Sequence, residues 1–367
     1  MIKDAEKIKT ALARRLLRWY DLEKRPLPWR ESADPYRIWI SEIMLQQTQV
    51  DTVMPYYRHF LDTFPTLEAL AAAPLQDVLK VWENMGYYSR ARNLHHAAKL
   101  MMENFGGQVP TVPEDMKKLP GIGPYTAGAI GSMAYGLAVP AVDGNVRRIL
   151  CRLFAFPEPV DQPQVQRRLE QAAAVLVPLK RPGDFNQALM DLGATICKAK
   201  APACSHCPIN PCCRARALSL QDRLPVTREK PPVPHRDEAV AVIRNRGNLI
   251  LMVQRPARGL LGSLWQFPGG FISEPHDLEH ELGKIIHRDW NIQIRVGPLI
   301  TAVNHAYTHF RITLYAYEAG LCGGTPRPVT GRLWRWVAWD ELKALPLAKV
   351  DRMVMKAVLS KASRIMT

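Results

Sequence analysis

Apolar residues recur at helical spacing through roughly the first 220 positions. Leu75, Val78, Leu79 and Trp82 would share one stripe of a short helix opened by Ala73-Pro74. Asp34-Pro35 gives the same start signal, because an aspartate suits the cap and a proline tolerates the first turn. The run behind it, Ile38-Trp39-Ile40-Ser41-Glu42-Ile43-Met44-Leu45, is almost wholly apolar. β-branched alternation is scarce here, so an all-α region is expected over residues 1–221. After residue 236 the texture changes to short strand-like runs, Ala239–Ile243, Leu249–Val253 and Arg311–Tyr317, separated by glycine-rich breaks. This second pattern predicts a smaller α+β domain over 237–367. Between the two, Leu224–Pro234 contains four prolines, which exclude helix and central strand, so residues 222–236 read as a semi-rigid linker. No internal repeat or low-complexity tract interrupts this order.

A length of 367 residues exceeds what one core usually organises, which agrees with a multidomain chain. The formal charge of +15 divides almost evenly, +7 before residue 222 and +8 after it, so both parts could face a polyanion. The N-terminus Met1–Lys7 has no apolar signal core, and no run of about eighteen uncharged apolar residues occurs. A soluble cytoplasmic protein, associated with the nucleoid, is the expectation. Seven cysteines, four of them at Cys197, Cys204, Cys207 and Cys213, point to metal ligation in a reducing compartment rather than to disulfides. Their spacing, Cys-x6-Cys-x2-Cys-x5-Cys, would serve either a tetrahedral zinc or a [4Fe–4S] cluster. Cys212 adjoins the fourth position as an alternative thiol, while Cys151 and Cys322 read as buried small hydrophobes.

Three further stretches carry chemistry. In Leu119-Pro120-Gly121-Ile122-Gly123-Pro124-Tyr125, two glycines permit a tight turn with outward amides, and a helix begins directly behind it. Such a turn offers backbone N–H groups to one phosphate, giving position but not sequence choice. Glu42 lies in an apolar run, where desolvation would raise its pKa and let it act as a general acid. Asp143, in Val142-Asp143-Gly144-Asn145-Val146, should cap a helix and stay ionised there. One protonated and one ionised carboxyl are what cleavage of a glycosidic bond through an oxocarbenium-like transition state requires.

These stretches, together with Leu27-Pro28-Trp29-Arg30, Trp39–Val50, Gly86-Tyr87-Tyr88-Ser89-Arg90-Ala91-Arg92 and the cysteine block, resemble the MutY-type adenine DNA glycosylases of the helix–hairpin–helix superfamily. The resemblance covers nearly the whole chain. It implies an all-α helix–hairpin–helix glycosylase core with an iron–sulfur loop, followed by an α+β Nudix-like domain. It further divides the core into a six-helix subdomain over about 27–135 and a cluster-bearing subdomain made of about 1–26 plus 136–221.

By the same resemblance, Glu42 protonates N7 of a flipped adenine and Asp143 stabilises C1′, with Tyr125 and Asn145 beside it. Arg25, Leu27, Trp29, Arg30, Leu45, Val50, Gln187 and Met190 match the adenine pocket. Gln47 and Tyr87 match residues that meet the opposite base, usually 8-oxoguanine. Gly121 and Gly123 form the phosphate hairpin. The four cysteines at 197, 204, 207 and 213 would hold one [4Fe–4S] cluster, which orders a basic loop and takes no part in bond cleavage. The partner implied is double-stranded DNA with an adenine mispair, bound by a monomer. Strand-cutting relatives carry a lysine at the place of Tyr125; a phenol cannot form their Schiff base, so a monofunctional enzyme is expected.

The C-terminal part resembles the Nudix-like domain of these enzymes, including Trp265-Gln266-Phe267-Pro268-Gly269-Gly270. Where an active Nudix hydrolase has its magnesium-binding acids, this chain reads Leu278-Glu279-His280-Glu281-Leu282-Gly283, which argues against nucleotide hydrolysis. His305-Ala306-Tyr307-Thr308-His309-Phe310 is similar to the loop that senses 8-oxoguanine, with Tyr307 and Thr308 in place of the usual phenylalanine and serine. The rival readings are a non-enzymatic DNA-binding scaffold and an endonuclease III-type lyase. Glu42 and Asp143 argue against the first, Tyr125 and the appended domain against the second.

Overall fold

The computed structural model describes residues 1–227, 231–273, 277–328 and 332–365; Arg228, Glu229 and Lys230 of the expected linker lie outside them. The chain forms two compact units, Met1–Ala72 with Asn93–Lys230, and Ala73–Arg92 with Pro231–Thr367.

Among the described residues of the first unit, the regular elements are all helices. In the helix Ile2–Glu23, Leu12, Leu16 and Tyr20 recur at four-residue spacing and are buried. They share a core with Val165, Leu169 and Leu176 of the helix Pro163–Leu176, and with Phe185, Leu189 and Leu192 of Pro182–Thr195. Each such side chain contributes about 1.5–3 kcal/mol by leaving water, so the N-terminal helix is pinned to segments far along the sequence. The helix Pro35–Leu45 is capped by Asp34, whose carboxylate accepts from the Tyr36 N–H at 2.8 Å. Every residue from Ile38 to Met44 in it is buried. A helix apolar all round is enclosed by its neighbours, which explains the lack of a polar face in its sequence.

The second unit contains a mixed sheet ordered β3-β2-β1-β6-β5, with β4 beside β1 and β7 beside β2. Its strands are β1 (His235–Arg244), β2 (Ile250–Gln254), β3 (Trp265–Gln266), β4 (Gly269–Phe271), β5 (Gln293–Ala306), β6 (Arg311–Gly323) and β7 (Trp334–Val337). β1 runs parallel to β6 and antiparallel to β2 and β4. As an inner strand it is buried without alternation from Ala239 to Ile243, which its apolar run requires. The helix Leu278–Trp290 lays Leu282, Ile286 and Trp290 on the sheet core of Ala239, Ala241, Ile243, Leu251 and Val253. β5 and β6 form a long hairpin whose tip is residues 307–310.

Two expectations change. Residues 73–92, read as part of an unbroken helical region, group with the C-terminal residues instead. The reason is a set of polar attachments to that part of the chain: Gln76 accepts from the Trp265 indole at 3.0 Å and donates to the Ser263 carbonyl at 3.1 Å, and Arg92 donates to the Gly262 carbonyl at 2.7 Å. Hydrophobic periodicity gave the helix Leu75–Val81 but not its partner. Cys322, read as buried, is exposed near the end of β6, where strand alternation turns its thiol outward.

Candidate active site

Glu42 sits on the buried helix Pro35–Leu45 with 3% of its surface exposed. The Tyr125 hydroxyl donates to its Oε2 at 2.5 Å. Tyr125 is in the first turn of Pro124–Tyr135, so the glycine hairpin sets its place. Burial pushes the Glu42 carboxyl up to about 7; the Tyr125 bond opposes this, Asp143 adds to it and Arg30 opposes it. Glu42 is the desolvated carboxyl expected from its apolar run, whereas the Tyr125 phenol, expected beside Asp143, hydrogen-bonds to Glu42.

Asp143 caps the helix Gly144–Leu153, its Oδ1 accepting from the Val146 N–H at 2.7 Å and its Oδ2 from Asn145 Nδ2 at 2.9 Å. Burial pushes its pKa up, and these hydrogen bonds and Arg148 pull it down. The net direction is upward, whereas capping alone would have lowered it. Desolvation outweighs the cap. Asn145 is fixed in turn, because its Oδ1 accepts from Arg148, and Arg148 also donates to the carbonyls of Gly193 and Cys197 at 2.8 Å.

Sequence reading missed the groups behind these. A Cβ on Gly193 would lie 2.5 Å from Asn145 Cβ, so only glycine lets the helix Pro182–Thr195 approach this closely. Asn186, 1% exposed, accepts from the Ala141 N–H and donates to Ser132 Oγ and the Val139 carbonyl, which fixes the strand-like approach to Asp143. Asp191, also 1% exposed, binds Arg25 and Arg30 together: Arg25 Nε reaches Oδ1 at 2.6 Å, and Arg30 reaches Oδ2 at 2.8 Å and Oδ1 at 3.0 Å. The signal was an acid between Met190 and Leu192 on an apolar helix, the same signal that marked Glu42.

Among the proposed pocket residues, Leu27 and Trp29 are buried, and Trp29 meets Tyr57 edge to face with ring centroids 5.4 Å apart. Met190 Sδ lies 3.9 Å from the Tyr125 hydroxyl. Leu45, Val50 and Gln187 are half-buried, at the end of Pro35–Leu45, the start of Val50–Thr63 and within Pro182–Thr195. The structure thus joins Glu42, Tyr125 and Met190 in one contact set, and Arg25 and Arg30 in another.

Residues 40–174 match the HhH-GPD superfamily of base excision DNA repair proteins, and residues 239–357 match the NUDIX domain family. The rat protein named adenine DNA glycosylase is 37% identical over 402 aligned positions, spanning 95% of this chain and 78% of that protein. Its human namesake is 35% identical, over 95% of this chain and 74% of that one. The chain belongs to the adenine DNA glycosylase family. A solved thermostable thymine-DNA glycosylase matches with a TM-score of 0.54 and 29% identity, covering 58% of this chain and 98% of that one. A trapped endonuclease III–DNA intermediate shares the fold of the helical part, at a TM-score of 0.50 and 22% identity over 59% of this chain and 98% of that one.

Other features of this adenine DNA glycosylase family member lie apart from the carboxylates. Gly121 has φ +81°, the left-handed region that favours glycine, and a Cβ added there would lie 3.0 Å from Asn93 Cβ, so the position has little room for a side chain. Gly123 caps Pro124–Tyr135 in an ordinary extended conformation with open space around it. Gln47 is exposed with φ +58°, and Gln46 beside it donates to the Gly121 carbonyl at 3.4 Å.

In the second unit, Tyr87 and Thr308 meet through their hydroxyls at 2.6 Å. Tyr307, beside Thr308 at the hairpin tip, is half-buried and packs edge to face on His305, while His309 is exposed. Where a Nudix hydrolase would bind magnesium, Glu281 is paired with Lys284 on the exposed side of the helix.

Cys197, Cys204, Cys207 and Cys213 line one cavity with Arg152, Ile149 and Leu192, whereas Cys212 packs on the neighbouring core outside that lining. Arg152, 2% exposed, donates to Cys197 Sγ at 3.3 Å and to the Lys198 and Ala199 carbonyls, bracing the loop. Among the described residues, no three His, Cys, Asp or Glu side chains converge as on a single metal ion.

Proposed function

We propose that this protein removes adenine mispaired with 8-oxoguanine or guanine from duplex DNA, as a monomeric and monofunctional glycosylase. The observation that carries the reading is Glu42, buried and held up to about 7, facing a phenol and sensing a second carboxyl. Tyr125 occupies Oε2 as a donor, so the Glu42 proton belongs on Oε1 and is available to a purine nitrogen. Protonation there draws the C1′–N9 electron pair onto the leaving adenine. Asp143, hydrogen-bonded through both oxygens, then favours its anion as positive charge develops on the sugar. Water then adds at C1′ and its proton goes to the carboxylate that Glu42 has become, which restores the acid. Because Asp143 raises Glu42, each carboxyl opposes ionisation of the other, and one proton between them is the working state.

Adenine has to leave the stack before any of this occurs. Arg25, Leu27, Trp29, Arg30, Leu45, Val50, Gln187 and Met190 form its pocket in this reading, with Asp191 bracing the two arginines. Gly121 and Gly123 take a phosphate. Gln47, Tyr87, Tyr307, Thr308 and His309 meet the opposite base. Tyr125 supplies no amine, so the product is an intact strand with an abasic site.

In this reading Cys197, Cys204, Cys207 and Cys213, which line one cavity, would hold a [4Fe–4S] cluster. It would cross-link the loop 197–213 there, and the chain's own Arg148 and Arg152 tie that loop to Asn145 and the helix bearing it. Cys213→Ser should lose iron, and Cys212→Ser should keep it, by metal analysis of the purified protein.

The deciding assay offers duplexes with adenine opposite 8-oxoguanine, guanine or thymine, then alkali to break abasic sites. Release of adenine from the first two, with strands intact until alkali is added, is expected. Cleavage without alkali would favour a lyase, and no release from any duplex would favour a DNA-binding scaffold.

A further inference from the structure

The stretch Ala73–Arg92 is separated by more than 130 residues of sequence from the rest of its unit, and one of its attachments there is a largely buried ion pair. Glu83 and Arg352 are 10% and 13% exposed. Both Glu83 oxygens take the guanidinium, through Arg352 Nε and through an Nη at 3.0 Å; Lys80 Nζ at 2.7 Å and the Leu347 N–H at 3.3 Å complete its shell. Arg352 spends its other donors on the carbonyls of Leu342, Lys343 and Leu345 at 3.2, 3.2 and 2.5 Å. The pair therefore ties the helix Leu75–Val81 to the turn before Lys349–Ile365.

Four residues beyond Glu83, the chain makes an unusual presentation. Tyr87 has φ +48°, a conformation unfavourable to a bulky residue, and the residue is 42% exposed. It is propped from behind: the Arg90 guanidinium lies 5.3 Å from the Trp82 ring and 5.4 Å from the Tyr87 ring, and Trp82 and Arg90 both donate to the Gly86 carbonyl. Its hydroxyl then meets Thr308. An exposed ring held in a strained conformation is one whose orientation matters to something outside.

We propose that Glu83–Arg352 is a specificity-setting lock, which fixes residues 73–92 to the sheet so that Tyr87 and Thr308 form one preassembled surface for the base opposite adenine. The proposal rests on the reading of the 307–309 tip as the opposite-base sensor. A largely buried ion pair adds little net stability over an apolar pair of the same shape, so positioning is its distinctive contribution. Rigid presentation lowers the ordering cost of binding, and only for the base that uses both hydroxyls.

The test uses the full metal-loaded protein and the variants Glu83→Gln, Arg352→Met and Arg352→Lys. Single-turnover excision and mispair affinity are measured on adenine opposite 8-oxoguanine and opposite guanine at one salt concentration, with hydrogen exchange of residues 80–92. We expect the preference for 8-oxoguanine to fall about fivefold in Arg352→Met and Glu83→Gln, and less in Arg352→Lys, with excision opposite guanine nearly unchanged. Equal losses on both mispairs, or an unchanged preference despite faster exchange in 80–92, would overturn the lock. If Arg352→Met fails to fold, the isosteric Glu83→Gln and the charge-retaining Arg352→Lys decide the matter. Thr308→Ala with His309→Ala separates the two readings. If that double variant loses preference and the lock variants do not, the lock alone fails; if neither does, the sensor reading fails with it.

Discussion

The carboxylate site and the Tyr87–Thr308 surface solve opposite problems. Glu42 is buried in a helix apolar on every side, and its chemistry depends on that desolvation. Tyr87 and Thr308 are exposed, and their use depends on being held still while facing water. At the first site the controlling residues are the proposed catalytic groups themselves. At the second they stand behind it, in Trp82, Glu83, Arg90 and Arg352. Burial tunes a proton, whereas bracing tunes an orientation, and the two fail differently when altered.

The largest effect should come from Glu42→Gln. Single-turnover excision should drop about 10³-fold or more while mispair binding persists, because the amide keeps the Tyr125 contact but has no proton to give. Its stability has a definite sign. The folded carboxyl is held above its ordinary 4.5, so the stability it contributes is complete below that pH and is lost as pH rises through about 7. A glutamine does not ionise, so the variant should melt above the wild type at pH 8 and alongside it near pH 4. Wild-type excision should likewise decline above pH 7. A variant equally active, or equally unstable at pH 8, breaks the desolvation side of the comparison.

Asp143→Asn should come next, with excision lowered about 10²–10³-fold in single-turnover assays through loss of the charge facing the sugar. Substantial activity in a folded variant would leave Asp143 as a cap only. Gly193→Ala is expected to cost about 1–3 kcal/mol in denaturant unfolding, since the new methyl meets Asn145 Cβ at 2.5 Å. Excision should fall with it, as Asn145 is displaced from Asp143. Activity retained at reduced stability would show that Asn145 is dispensable for chemistry.

Tyr87→Phe should be smallest. It removes one exposed hydroxyl contact of about 0.5–1.5 kcal/mol, to be read as weaker affinity for the 8-oxoguanine mispair with the rate of base release at saturation unchanged. A slowed release step would mean that the exposed surface also shapes the carboxylate site.

Much of the catalytic side was legible because its signals are local. Asp34-Pro35 opens the helix, an acid interrupts an apolar run at Glu42, and Gly121-Ile122-Gly123-Pro124 places Tyr125 at a helix start. The direction of the Asp143 shift was not, since it depends on how deeply neighbouring helices enclose a cap. Asp191 was missed although it follows the same rule as Glu42, because an acid flanked by apolar residues gives no indication of which arginines will meet it. The attachment of residues 73–92 was illegible for a stronger reason. Helical periodicity states that Val78, Leu79 and Trp82 need a partner, and nothing in their spacing says that their segment groups with residues past 230. Likewise β5 was not foreseen, because Gln293–Ala306 mixes glycine, proline and polar residues on a strand that is mostly half-exposed.

The discontinuous second unit also sets a timetable for synthesis. Glu83 leaves the ribosome 269 residues before Arg352, which at about 5–20 residues per second is a delay of roughly 13–54 s. Once residue 230 has emerged, the helices of the first unit are available to one another, while residues 73–92, among them Val78, Leu79 and Trp82, fully buried in the finished protein, still lack the C-terminal residues they group with. The nascent chain therefore carries an apolar segment in the middle of an otherwise assembled unit, a natural binding site for a chaperone and a point at which two incomplete chains could stick together. Slower translation of the C-terminal third would prolong that exposure without changing a single residue.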